Sequence, residues 1–314
     1  MSSASLAPSG DQFAFSGGGY DAVVTESGGS LRLLTHAGRP LVDGFGEQEM
    51  SWGGRGQLLM PWPNRVRDGH YSFGGKDFEL ALSEPSRRHA SHGLARWAAW
   101  TVEEHTAHSV SLQYRLMAQS GYPWTVDLHV LYDLSADGLT VTQTATNMSS
   151  TAAPYACGAH PYLTVGDGPV DTWELTVPAA TRSITDDRLI PVGTEAVAGT
   201  PYDFRKARAL GDLALNHGFT DLERDPQGIA TTILRDPATD RGLAIWVDRG
   251  HRWLLLYTAD DRGATARRSL AVEPMTANAD AFRSGTDLLS LAPAGEAGDE
   301  VSVSWGIRTV DEQA

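Results

Sequence analysis

The chain predicts an all-β fold: a large antiparallel β-sandwich with few, short helices. Three observations carry that reading. β-rich runs recur between Gly, Pro, Asp and Asn clusters, several neighbouring runs are joined by hairpin signals, and no long segment keeps the apolar period of a helix. Residues 20–26 and 31–36 flank a Gly28-Gly29 turn, and residues 70–73 and 77–80 flank Gly74-Gly75. Residues 124–134 and 139–147 alternate apolar with polar side chains around Ser135-Ala136-Asp137-Gly138, the clearest hairpin in the chain. Runs at 230–234, 243–247, 253–258, 269–273 and 301–308 supply further strands. Many antiparallel strands with turn signals imply two large sheets packed face to face, with short, peripheral helices.

The 33 glycines and 16 prolines punctuate the strands and are not gathered into a linker. With no internal repeat and no low-complexity tract, residues 1–314 read as one domain. Residues 1–17 are expected to form a loose N-terminal tail. Its first ten residues are small and polar, without the basic and apolar regions of a signal peptide. Hydrophobic residues at 41% and charged residues at 20% suit a globular protein with a sizeable core. A formal charge of -14 argues against nucleic acid or an anionic membrane as partner and favours a neutral ligand. Cys157 is the single cysteine, so no intramolecular disulfide forms and nothing implies an oxidising compartment. No apolar run approaches membrane-spanning length, so a cytoplasmic protein is expected, monomer or dimer.

Near the middle lies Pro154-Tyr155-Ala156-Cys157-Gly158-Ala159-His160-Pro161-Tyr162-Leu163. Pro161 disfavours helix at His160, which places this imidazole on an extended segment, and Gly158 permits a bulge or close approach just before it. A packed histidine ending a strand is the alternative reading. Two other stretches keep it company. One is Leu59-Met60-Pro61-Trp62-Pro63-Asn64-Arg65-Val66-Arg67-Asp68-Gly69 followed by Ser91-His92-Gly93-Leu94-Ala95-Arg96-Trp97; the other is Ala271-Val272-Glu273-Pro274-Met275-Thr276. Together with His-Pro-Tyr, in this order and from about Gly18 to Gly306, they resemble the aldose 1-epimerase (mutarotase) family. The resemblance implies a galactose mutarotase-like supersandwich with a sugar cleft across one sheet.

Interconverting the anomers of a free hexose needs a proton taken from the anomeric hydroxyl and one given to the ring oxygen. A carboxylate and an imidazole on opposite sides of the hemiacetal suit that task, each worth about 10² to 10⁴ in rate. The resemblance makes Glu273 the base, expected ionised, and His160 the acid, expected to hold its proton near neutrality. It makes His92 a group that binds and polarises the sugar, with Gly93 admitting the ligand closely. Arg65 becomes a sugar-binding candidate because a guanidinium fork can donate to two hydroxyls, with Asn64 and Arg67 as weaker ones.

One departure concerns the aspartate that the family usually carries just before the segment matching His217 to Leu222; this chain has Asn216 there, and Asp221 is the possible substitute. Trp62, Trp97, Tyr162 and Trp246 are candidate stacking platforms, although each residue type is more often core. No His-x-x-x-His or Cys-x-x-Cys spacing supports a metal, Gly17-Gly18-Gly19 lacks the lysine of a phosphate loop, and no cofactor is expected. Two alternatives stay open. A mutarotase for hexose 6-phosphates would need a second basic cluster, for which Arg87-Arg88 and Arg267-Arg268 are the arginine pairs. The other is a carbohydrate-binding module without turnover.

Overall fold

The alternation seen at 124–147 becomes strands Val126–Ser135 and Gly138–Asn147, paired from Val126 opposite Asn147 to Ser135 opposite Gly138. Val126, Leu128, Val130, Tyr132 and Leu134 point inward and are buried, while the residues between them face out. The computed structural model describes residues 6–310, and in it this hairpin lies within a nine-stranded antiparallel sheet. Glu300–Thr309 pairs beside Gly138–Asn147, followed by Arg241–Val247 and Ala230–Asp236. On the outward face Thr142 bonds Ser304 and Thr144 bonds Ser302 in a polar ladder.

The second large sheet has eight strands. Its centre is Asn216–Leu222, Trp253–Tyr257 and Leu270–Met275, and its far end is made of the short pieces Gly158–Ala159, Tyr162–Leu163 and Leu58–Leu59. Leu254, Leu256, Leu270 and Val272 from this sheet join Val141, Ile245 and Trp305 from the other in one apolar core. A polar bridge crosses that core. The Trp305 indole donates to Gln143 Oε1 at 3.0 Å, and Gln143 Nε2 donates to the Gly158 carbonyl at 3.1 Å.

Two expectations need correcting. Residues 12–17 are not tail: Gln12–Gly17 is a strand paired with Tyr20–Thr25 in a separate four-stranded sheet, with Phe15 buried against the core. Residues 1–5 lie outside the described residues. The helix Ala281–Ser284 is short but not peripheral, because Phe282 is buried with its ring 5.3 Å from Trp62 and 5.0 Å from Tyr71. Among the described residues no helix is long and apolar enough to cross a membrane.

Candidate active site

Strand alternation decides where the carboxyl goes. With Leu270 and Val272 turned into the inter-sheet core, Ala271, Glu273 and Met275 must face the other way, beside Tyr162, Leu255 and Tyr257. Glu273 therefore rises from the middle of the sheet into a polar cleft, only 1% exposed. His160 reaches the same place from the short strands. Gly158 pairs between Leu59 and Met275, and a Cβ there would lie 2.6 Å from the Pro274 carbonyl, so the close backbone approach expected of this glycine is real. The His160 amide donates to Gln57 at 3.0 Å and its carbonyl accepts from Gly56 at 3.0 Å. Held this way, His160 Nε2 lies 3.2 Å from Glu273 Oε1, while Glu273 Oε2 has no hydrogen-bond partner.

The imidazole is packed on both sides. Tyr162 stacks on it with centroids 4.9 Å apart and 12° between planes, and the Tyr162 hydroxyl donates to the Gly53 carbonyl at 2.8 Å. Behind Tyr162 sits Arg55, fully buried, its guanidinium carbon 4.0 Å from the Tyr162 ring and 3.5 Å from Trp52, paired with Asp43 at 3.0 Å. Gly54, at φ +84°, closes another side; a Cβ on it would come within 2.7 Å of His160 Cδ2.

His92 stands 5.6 Å from His160, ring to ring. Both His92 and Asn64 take left-handed backbone angles, φ 61° and 53°, which two reciprocal bonds secure. The His92 amide donates to the Asn64 carbonyl at 2.7 Å, and the Asn64 amide donates to His92 Nδ1 at 3.2 Å. Because Nδ1 accepts, the proton of a neutral His92 sits on Nε2. Gly93 does not serve a ligand as expected. The space its side chain would fill is taken by the Met60 carbonyl, 2.0 Å from an added Cβ.

The Arg65 fork is also committed. Nε and Nη2 donate to the two oxygens of Glu84 at 2.7 and 3.1 Å, and Nη1 donates to Asn64 Oδ1 at 3.1 Å. Arg65 thus lines the cleft with one edge occupied, and Glu84 takes a second arginine, Arg87, at 3.0 Å. Around these groups the cleft encloses about 270 Å³, and Asn216, Trp97 and Arg262 complete much of its wall. At about 30 Å³ per displaced water that is the scale of a small polar ligand.

Burial reverses the protonation expected from the sequence. Removing the Glu273 carboxyl from water pushes its pKa up to about 8, with the Arg65 charge opposing. Burial also takes the His160 imidazole down to about 3, and the positive charge of Arg55 adds to the shift. Burial thus favours the neutral form of both groups, where an ionised glutamate and a charged histidine were expected. His92 is lowered well below its ordinary value by burial and then by His160, which leaves it a neutral N–H donor.

Of the sequence candidates, Glu273, His160, His92, Arg65, Asn64 and Asn216 line this cleft, and so does Trp97 at 49% exposure. The others do not. Trp62 is buried against Phe282, and Tyr162 is buried behind His160, a support where a platform was expected. Asp221 is exposed five residues along the strand from Asn216, roughly 17 Å away at about 3.4 Å per residue. It cannot substitute for a missing carboxylate. Arg67 pairs with Asp186, and Trp246 belongs to the other sheet. Arg267 and Arg268 are tied to Asp171, Asp260 and Asp43, leaving Arg87 as the one member of the two arginine pairs at the cleft. Sequence reasoning missed Glu84, Arg96, Arg262, Gly54 and Arg55. Arg96 alone carried a signal, since it sits inside the quoted His92 motif. Among the described residues no group of three or more His, Cys, Asp or Glu side chains could hold a metal ion.

Comparison with known proteins points the same way as the motifs. Residues 11–304 match the family model described as aldose 1-epimerase. The Escherichia coli K12 protein YihR, described only as uncharacterized, is 32% identical over 284 residues, covering 90% of this chain and 89% of its own. Among solved structures, the GalM/aldose epimerase homologue from C. elegans superposes with a TM-score of 0.83 at 20% identity, covering 96% of this chain and 99% of its own. A galactose 1-epimerase from Lactobacillus acidophilus gives 0.75 at 18% identity, covering 93% and 92%.

Proposed function

We propose that this chain, which belongs to the aldose 1-epimerase family, interconverts the α and β anomers of a free hexose by acid–base ring opening. The observation that carries the reading is the buried Glu273–His160 pair on the floor of a polar cleft, with Glu273 Oε2 left without a partner. A buried carboxyl oxygen lacking a hydrogen bond is costly by about 1–3 kcal/mol, and an anomeric hydroxyl would satisfy it. In the reaction the anomeric O–H gives its proton to Glu273 while His160 gives one to the ring oxygen. The bond from C1 to the ring oxygen breaks and C1 becomes a carbonyl carbon. Rotation about C1–C2 and reversal of both transfers close the ring on the other face, so the two groups exchange roles on the return.

The neutral resting pair is compatible with this cycle. Nε2 lies 3.2 Å from Oε1, and moving the carboxyl proton to Nε2 would give the carboxylate and imidazolium that the first step needs. His92, a neutral donor beside His160, is suited to polarise the ring oxygen. Nothing is oxidised and no group is carried, so the reaction needs no cofactor.

The test is anomer exchange. Fresh α-glucose and α-galactose are followed by polarimetry with and without protein, and Glu273→Gln is compared. The wild type should accelerate exchange, and the variant should lose about 10² to 10⁴ of that acceleration with its melting temperature unchanged. A near-wild-type rate in Glu273→Gln sinks the assignment, and sugar binding without exchange would make the chain a binding module.

A further inference from the structure

Four guanidinium groups, those of Arg65, Arg87, Arg96 and Arg262, line the cleft of a chain whose formal charge is -14. The carboxyls among them belong to Glu84, Asp261 and Glu273, and burial raises the Glu273 pKa to about 8, disfavouring its charged form. Glu84 is divided between Arg65 and Arg87. Arg262 has Asp261 at 3.8 Å and donates from Nε to the Tyr257 hydroxyl at 3.1 Å. Arg96 differs from the other three. It is partly buried, makes no ion pair with any described residue, and has only the Trp97 ring at 5.4 Å from its guanidinium carbon. Burial lowers its pKa, with Glu84 the charge that opposes the shift. Asn216 contributes a neutral amide to the cleft lining.

A partly buried cation without a counter-ion is costly, and the hydroxyls of a neutral hexose can accept its hydrogen bonds but cannot neutralise its charge. Sugar hydroxyls both donate and accept, so carboxylates and amides can serve them too, and four guanidinium groups exceed what a neutral sugar requires. The overall negative charge, which favoured a neutral ligand in the sequence, averages over the surface and conceals this local reversal.

We propose that the cleft is built for an aldose bearing an anionic substituent remote from C1, with Arg96 as the principal partner of that anion and Arg87 as the second. The proposal rests on the anomer-exchange reading above for its reaction and adds the substrate class. Phosphate, sulfonate and carboxylate share the relevant chemistry, since each accepts charge-assisted bonds from guanidinium donors.

The test measures kcat/KM for anomer exchange by NMR with glucose, glucose 6-phosphate, a 6-sulfonate analogue and glucuronate, for wild type, Arg96→Met and Arg96→Lys. Calorimetric binding of the same sugars runs in parallel, and thermal melts confirm folding. Wild type should favour at least one anionic sugar over glucose by about tenfold or more. Arg96→Met should lower that anionic-to-neutral ratio by about 10- to 100-fold, and Arg96→Lys should retain more of it. The sugar that gains most identifies the anion. Equal rates for glucose and every anionic sugar, or a ratio indifferent to Arg96, overturn the proposal while leaving anomer exchange intact. If no sugar exchanges, the catalytic reading fails and binding decides. Binding of an anionic sugar that depends on Arg96 then upholds this inference, and its absence overturns it.

Discussion

The two large sheets use the same alternation to opposite ends. In the nine-stranded sheet, Val126–Ser135 and Gly138–Asn147 bury about every second side chain and leave their polar residues in water. In the eight-stranded sheet, Trp253–Tyr257 and Leu270–Met275 are buried at every position. One face of these strands meets the core, and the other is roofed by the segments carrying Arg55, His92 and His160. Thr142 and Thr144 on the first sheet are polar and solvated, so their chemistry stays ordinary. Glu273 occupies the equivalent outward position on the second sheet, but in a dry one, and its carboxyl is pushed up to about 8. A covered outer face turns a scaffold position into a chemical one.

The comparison breaks or sharpens at four places. The largest expected effect is His160→Asn, which should lower kcat by on the order of 10² or more with little change in KM, whereas His92→Asn should weaken binding as well as rate. Saturation kinetics by polarimetry read both. The reverse pattern would make His92 the acid. The pair also sets a pH profile. Below about 3 His160 gains a second proton, and above about 8 Glu273 loses its own, so kcat/KM should form a bell with limbs near those values. Limbs between pH 4 and 7 would return the pair to the ionised form expected from the sequence.

Second comes Leu128→Ala on the solvated sheet, which should cost about 2–5 kcal/mol of unfolding free energy in urea and leave kcat unchanged. A large loss of kcat there would erase the division between scaffold and site. Third, Gly54→Ala forces a methyl toward His160 at a left-handed backbone position, so kcat should fall about tenfold with about 1–2 kcal/mol of stability lost. The smallest effect belongs to Tyr162→Phe. It keeps the ring stacked on His160 and removes only the bond to Gly53, for about 0.5–1.5 kcal/mol by thermal melt.

What the sequence revealed follows the same division. The hairpin at 126–147 was legible because its side chains alternate between core and water, and the alternation is written locally. Glu273, His160 and His92 were legible from motif context alone. Glu273 is on a six-residue strand, His160 lies between two two-residue strands and His92 just past a three-residue one, all too short for periodicity to place them. Glu84 was invisible because its meaning comes from Arg65, 19 residues away, and nothing local marks a carboxylate that will bind two arginines. Arg55 was hidden for a similar reason, since Tyr162 lies more than a hundred positions along the chain. The charge state was misread because unperturbed pKa values belong to solvated groups, and both members of this pair are 5% exposed or less. The tail through residue 17 was misjudged on composition, where pairing with Tyr20–Thr25 supplies the order.

Gln143 gives the site a property of motion. Its amide hangs between the Trp305 indole on one sheet and the Gly158 carbonyl on the other, two residues before His160. The His160 segment is thereby stitched through the core and cannot fray alone, because releasing it strands a buried amide without partners. In the language of hydrogen exchange, the backbone amide of His160, bonded to the Gln57 carbonyl at 3.0 Å, is expected in the slowest class, opening only when the sandwich itself comes apart. Arg87 and Arg96 flank the buried strand His89–Ser91, their carbonyls accepting from Arg188 and Gln57. The proton-handling centre is thus expected to be as durable as the fold.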